Sequence, residues 1–114
     1  MHWINSTPFN RLYISCITIG EIKTGALRKY KKDKIAGKVL LNWVQNLIIN
    51  YTDHIIKIDC TTCQEWAGLL AIDGTNAIDA FIASQALQMN MTLVTRNTKH
   101  FRLFGVQLLN PFVI

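Results

Sequence analysis

Residues 76–87 have the sequence NAIDAFIASQAL, and the short stretch MTLVT follows at residues 91–95. Asn76 is a good N-cap residue and predicts that a helix begins there. Three apolar residues then recur close to one side of this helix: Ile78, Ile82 and Leu87. The alanines at positions 80, 83 and 86 would let the helix lie close against a sheet. MTLVT predicts a strand that ends in a polar loop.

Working outward, strands and helices alternate along the chain. Short β-branched runs typical of buried strands occupy residues 12–17 (LYISCI) and 54–58 (HIIKI), and residues 106–109 predict a last strand. This alternation predicts an α/β fold with a largely parallel sheet. In such sheets, sites form beyond the carboxyl ends of the strands.

Helix starts are predicted from the caps. Thr18 and Glu21 have the T-x-x-E spacing of a capping box. Another helix covers residues 35–49, with one face predicted at Val39, Trp43, Val44 and Leu47. Thr61 or Thr62 would cap a further helix.

Length and composition limit the number of domains and the class of protein. The chain has 114 residues, of which 50% are hydrophobic, and this suits a single domain over residues 1–114. The longest apolar run, residues 40–49, is interrupted by amides, so we expect no membrane span. The N-terminus lacks the pattern of a secretory signal, which predicts a cytoplasmic protein.

Much of the net charge of +5 is local. Seven cations are opposed within their span only by Asp33: Lys23, Arg28, Lys29, Lys31, Lys32, Lys34 and Lys38. They form either a solvated helix face and turn or a patch that attracts nucleic-acid phosphates. Charge alone leaves both interpretations open.

The three cysteines indicate neither a disulfide framework nor a zinc ribbon. Their number is odd, and Cys60-x-x-Cys63 is a lone pair without suitably spaced histidines. A thioredoxin-like redox site would also need a proline facing the dithiol, and the only prolines, Pro8 and Pro111, lie at the chain ends. Ordinary core or surface thiols are the better account.

Three polar residues fall at the expected carboxyl ends of strands: Glu21, Asp79 and Asn97. Gathered carboxylates are hard oxygen ligands, which Mg²⁺ or Mn²⁺ prefers, and such ions assist phosphodiester hydrolysis. Each residue also has a structural interpretation. Glu21 would close a capping box, Asp79 would complement its helix dipole, and Asn97 would make a turn.

Three ordered blocks of the chain resemble those of VapC-type toxins of the PIN-domain superfamily. They are residues 14–23 (ISCITIGEIK), residues 76–87, and residues 93–101 (LVTRNTKHF) followed by 105–112 (GVQLLNPF). Glu21 matches the acidic residue of the family's second block, and Asp79 matches the catalytic aspartate of the third. The resemblance runs from about residue 3 to the end of the chain.

The resemblance implies a PIN fold, a parallel-sheet α/β/α sandwich, and an endoribonuclease that depends on Mg²⁺ or Mn²⁺. Glu21 and Asp79 would coordinate the metal, and metal-bound water would attack the RNA phosphate. Thr95 and Asn97 would hold the remaining corner of the site, at the metal or through water. The family also implies a VapB-type antitoxin that blocks the site, and homodimers.

The sequence departs from the family pattern at two places. The first strand and its aspartate, in a D-T-N-x-x-S-E-like block, have no counterpart, and residues 3–6 resemble the end of the helix that follows that strand. His100 stands where the family often has an acid. The expectation is therefore an N-terminally truncated domain with an impaired site. A misplaced start codon, a gene remnant and a fragment completed by dimerisation would each account for it.

Two further hypotheses remain open. A catalytically inactive toxin remnant that still binds a VapB-type antitoxin needs no catalytic carboxylates. A pure RNA-binding module would rest on the basic patch, but the chain lacks a ribonucleoprotein-type aromatic motif.

Overall fold

The computed structural model describes residues 11–74, 76–95 and 97–110. These residues group into two compact units. The hairpin unit is Leu12–Lys57, and the C-terminal unit contains the described residues from Ile58 onward together with Arg11. The predicted helix end at residues 3–6, and with it the prediction of truncation, lies outside the described residues.

The hairpin unit contains two long helices and a small parallel sheet. Its elements are β1 (Ile14–Ser15), α1 (Cys16–Lys32), α2 (Lys34–Asn50), a 3-10 turn (Thr52–His54) and β2 (Ile55–Ile56). Ile14 pairs with Ile55 and Ser15 with Ile56, in parallel register. Three buried residues form the core: Ile19, Ala26 and Val44.

The start of α1 corrects the predicted capping box. The Ser15 hydroxyl accepts a hydrogen bond from the backbone N–H of Ile17 at 3.2 Å, so Ser15 is the N-cap. Thr18 and Glu21 consequently lie inside the helix. The capping-box prediction was wrong because the strand ends two residues earlier than its β-branched run suggests.

A single extended residue, Asp33, separates α1 from α2. Its backbone N–H bonds to the carbonyl of Lys29, and its carboxylate accepts from the N–H of Ala36 at 3.1 Å. Asp33 therefore ends one helix and caps the next. Beyond the turn, α2 passes so close to α1 that a Cβ on Gly37 would overlap the backbone of Tyr30.

The bounds predicted for the second helix were nearly right, but its predicted face was only partly so. Val44 is 2% exposed, whereas Val39 and Trp43 are exposed. Leu41 and Ile48 pack against the core instead. Apolar residues occur on several sides of α2, so periodicity alone did not identify the buried side.

The C-terminal unit begins with a pair of packed helices and continues into a second parallel pair of strands. Its elements are α3 (Cys60–Ile72), α4 (Ala77–Gln88), β3 (Leu93–Val94), α5 (Thr98–Phe101), a 3-10 turn (Arg102–Phe104) and β4 (Leu108–Leu109). Leu93 pairs with Leu108 and Val94 with Leu109. The strand order and the parallel pairing confirm the α/β prediction.

The N-cap of α3 differs from the prediction, which was Thr61 or Thr62. Asp59 caps the helix, and its carboxylate accepts from the N–H of Thr62 at 2.7 Å. This bond and a second one from the Thr62 side chain hold the pKa of Asp59 below its usual range. Cys60 and Cys63 are free thiols in the first turns of the helix.

The alanine side of α4 forms the centre of the C-terminal core. Ala80 and Ala83 are fully buried, and Phe101 and Phe104 belong to the same cluster. The α3 side chain of Trp66 meets Phe81 edge-on and donates through Nε1 to the carbonyl of Ala77 at 2.9 Å. These contacts fix the first turn of α4.

Within the described residues, no helix has the length and apolar character needed to cross a membrane.

Candidate functional site

Asp79 occupies the first turn of α4, as the sequence predicts. The helix starts at the predicted N-cap, Asn76, whose carbonyl accepts from the N–H of Ala80 at 2.9 Å. The Asn76 side chain makes no capping hydrogen bond. With its neighbour Ala80 buried in the core, Asp79 sits at the edge of the core, and its side chain is 32% exposed.

Thr95 and Asn97 follow the end of β3. The N–H of Thr95 extends the strand pairing to the carbonyl of Leu109 at 3.0 Å, and its Oγ1 accepts from the N–H of Asn97 at 3.1 Å. Asn97 stands at the N-cap position of α5 and accepts through its carbonyl from the N–H of His100 at 3.1 Å. The loop is therefore folded back on the strand end by its own hydrogen bonds.

His100 links this loop to α4. Its Nδ1 lies 3.9 Å from Oδ2 of Asp79, and its side chain is 56% exposed. Asp79 and the loop after β3 therefore meet at one place, although they come from different elements. Nothing in the sequence pattern indicates this pair, because His100 stands out in the sequence only as a histidine at a position where the family often has an acidic residue.

An open cavity of about 290 Å³ adjoins His100. It is lined by Asn97, Thr98, Lys99, His100 and Asn110. Its lining side chains are amides, a hydroxyl, an ammonium and an imidazole, which together donate hydrogen bonds and offer positive charge. That chemistry suits a phosphate group better than an apolar ligand. Sequence analysis missed Thr98, Lys99 and Asn110, because no pattern marks the lining of a loop cavity.

Glu21, the other predicted carboxylate, belongs to the hairpin unit. It is the sixth residue of α1 and is exposed to solvent. Of the four predicted site residues, the C-terminal unit holds Asp79, Thr95 and Asn97.

The donor set of the C-terminal unit allows a test of the metal that the family implies. Within the described residues, no three His, Cys, Asp or Glu side chains cluster closely enough to hold a metal ion. A closed, protein-only site such as structural zinc therefore does not fit. The single carboxylate of Asp79, next to the polar loop that carries His100, does fit a hard cation held partly by water and substrate phosphate, which is the usual manner of Mg²⁺.

The chain is similar to three bacterial proteins, of which one is named a VapC ribonuclease and another a toxin. It is 28% identical to the plasmid stability protein StbB of Pseudomonas syringae pv. tomato, with 98% of this chain and 84% of that protein covered. It is 24% identical to the VapC ribonuclease Y4jK of Sinorhizobium fredii, covering 96% and 81%. It is 26% identical to the toxin FitB of Neisseria gonorrhoeae, covering 96% and 82%.

Solved structures show the same fold. FitAcB from Neisseria gonorrhoeae superposes with a TM-score of 0.88 at 24% identity, over 99% of this chain and 84% of that one. FitAB bound to the IR36 DNA fragment gives 0.86 at 26% identity, over 99% and 82%. The sequence model of the PIN domain matches residues 2–105. The chain therefore belongs to the PIN domain family, with toxins of the VapC and FitB type among its relatives.

Proposed function

We propose that the chain is a toxin of the VapC type that cleaves RNA phosphodiesters with the help of Mg²⁺ or Mn²⁺. The observation that carries the proposal is the contact of Asp79 with His100, which lines a polar cavity together with Lys99 and would offer that cavity to a phosphate. A relative that is named a VapC ribonuclease supports the choice of RNA.

In this proposal, Asp79 would be a ligand of the cation, and Glu21 keeps the ligand role that the family resemblance implies. When bound, the cation supplies a Lewis acid and a nucleophilic water for attack on the phosphodiester. Lys99 would attract the scissile phosphate through its ammonium group. Thr95 fixes the backbone of Asn97 by its hydroxyl, and the Asn97 amide would orient water or substrate in the cavity.

An antitoxin is the proposed protein partner. The relative FitB is named a toxin, and solved relatives are the assemblies FitAB and VapBC-1, the latter from Haemophilus influenzae. By analogy, a VapB-type antitoxin would bind this chain and block its site, and the toxin chain would form a homodimer.

A second candidate function is that of an inactive toxin remnant that binds the antitoxin without cleaving RNA. The Asp79–His100 pair favours it, because an imidazole nitrogen lies next to the carboxylate where a second oxygen ligand would suit a hard cation. Among the described residues that line the cavity there is no carboxylate, which favours it as well.

Cleavage of RNA by the purified chain separates the two candidates. The assay compares Mg²⁺, Mn²⁺ and EDTA, and compares the natural chain with Asp79→Asn and with Asp53→Asn, an exposed carboxylate of the hairpin unit. The ribonuclease proposal expects metal-dependent cleavage that Asp79→Asn lowers by roughly 100-fold or more, since loss of a metal ligand removes several kcal/mol of transition-state stabilisation. Asp53→Asn should cleave like the natural chain. A folded chain that leaves RNA intact with either ion would favour the remnant.

A further inference from the structure

The turn between α1 and α2 concentrates positive charge on the hairpin unit. We call its six exposed cations the basic turn: Arg28, Lys29, Lys31, Lys32, Lys34 and Lys38. The only acid in this span, Asp33, uses its carboxylate to cap α2. Among the described residues, no carboxylate lies within ion-pair distance of these six side chains.

Helix electrostatics explain only part of the basic turn. Lys29, Lys31 and Lys32 lie in the last turn of α1, where cations stabilise the negative end of the helix dipole. Lys34 and Lys38 lie at the start of α2, where the dipole disfavours positive charge, and the first turn of α2 contains no acid.

The spacing of the cations along each helix adds to this unfavourable electrostatic energy. Arg28 and Lys32 are four residues apart on α1, and Lys34 and Lys38 are four apart on α2. Like charges at this spacing on a helix repel and destabilise it. A bound polyanion would relieve the repulsion within both pairs directly, whereas dissolved salt only screens it.

The structure also holds the basic turn in a fixed shape. Gly37 brings α2 against the backbone of Tyr30, so the two helix ends that carry the cations are packed directly together. The Tyr30 side chain is 38% exposed within the same turn. An exposed aromatic ring among cations is the combination on which single-stranded nucleic acids bind, with bases stacked and phosphates neutralised.

We propose that the basic turn is a docking site for the phosphates of single-stranded RNA. The inference depends on the proposed function for its choice of RNA as the polyanion. Tyr30 is the feature that favours RNA over an acidic polypeptide, which has no bases to stack.

Binding of a fluorescent single-stranded RNA, measured by anisotropy over a series of salt concentrations, tests the proposal. All chains carry Asp79→Asn so that the RNA stays intact. Two charge-removing variants, Lys31→Gln with Lys32→Gln and Lys34→Gln with Lys38→Gln, are compared with a double variant outside the turn, Lys23→Gln with Lys57→Gln. The three variants lose the same net charge, and circular dichroism verifies that each is folded.

Each lost phosphate contact lowers the slope of log K against log salt by about 0.7 for single strands. The proposal therefore expects the slope to fall by about 1.4 in each turn variant and to change little in the control. Equal losses in all three variants would mean that net charge alone attracts RNA, and unchanged slopes would mean that RNA binds elsewhere. Either result overturns the proposal. Binding of polyglutamate is measured in the same way, and turn variants that lose polyglutamate binding but keep RNA binding would overturn the proposal as well. Cleavage by the natural chain is measured separately, so a chain that binds RNA at the turn without cutting it would refute only the proposed function.

Discussion

The imidazole Nδ1 of His100 lies 3.9 Å from the carboxylate Oδ2 of Asp79, across two helices of the C-terminal unit. A carboxylate at the position of His100 would instead face Asp79 as a second hard oxygen donor. The pair thus identifies the place where a single substitution changes the charge of the candidate metal site most directly.

His100→Asp is expected to tighten binding of Mn²⁺ by about tenfold, because affinity for hard cations rises with the number of carboxylate ligands. Calorimetric titration with Mn²⁺ measures the change. Lys99→Gln is the matched control, since it makes the same change in charge in the same cavity without adding a ligand. Equal tightening in both variants would show that the affinity for Mn²⁺ depends on the net charge of the cavity and not on a new ligand beside Asp79.

The close approach of α1 and α2 makes Gly37 intolerant of a side chain. Gly37→Ala should lower the free energy of unfolding by about 1–3 kcal/mol, because its Cβ would overlap backbone atoms of Tyr30 that cannot move without separating the helices. Gly25→Ala, in open space on α1, should raise it by about 0.5–1 kcal/mol through helix propensity. Urea denaturation of both variants gives the two values. A neutral Gly37→Ala would contradict the packing of the hairpin.

Asp59 makes the stability of the C-terminal unit depend on pH. The pKa of Asp59 is lowered mainly by the backbone N–H of Thr62 and further by the Thr62 side chain. A carboxylate whose folded pKa lies below its unfolded one contributes stability that is complete above the unfolded pKa and is lost as the pH falls through the folded value. That loss begins near the ordinary aspartate pKa of about 4 and continues below it.

Asp59→Asn keeps a cap acceptor without the charge. Its melting temperature should therefore fall less than that of the natural chain when the pH is lowered from about 6 to about 3. Asp59→Ala should melt lower than either at pH 6, because it removes the acceptor for the Thr62 amide. Parallel melting curves for the natural chain and Asp59→Asn would refute the link between this cap and pH.

The sequence predicted the order of the elements well, because strand and helix periodicities are local properties. Cap residues were less predictable. Ser15 and Asp59 cap their helices from positions upstream of the threonines that the patterns favoured, since the chain leaves each strand or loop earlier than expected. Such boundaries depend on where the strand pairing stops, which a single segment does not encode.

The candidate site was predictable residue by residue but not as an arrangement. Asp79 and Asn97 were found from their places after a cap and a strand, and both occupy those places. Their connection through His100 depends on the folding of the loop after β3, where Thr95 accepts from the Asn97 amide. A contact between distant segments has no signature in either segment alone.

The buried side of α2 provides a last test, because the predicted face included both Val39 and Val44 and the structure buries only Val44 of the two. Val44 is 2% exposed and packs with Ile19 and Ala26, whereas Val39 is 64% exposed. Val44→Ala should cost about 2 kcal/mol of unfolding free energy through lost burial and the cavity that remains. Val39→Ala removes the same atoms from the same helix and should change stability by no more than about 0.5 kcal/mol. Urea denaturation of the two variants decides between the sides, since equal costs would mean that Val39 is also covered, by a part of the chain or a partner that encloses this face.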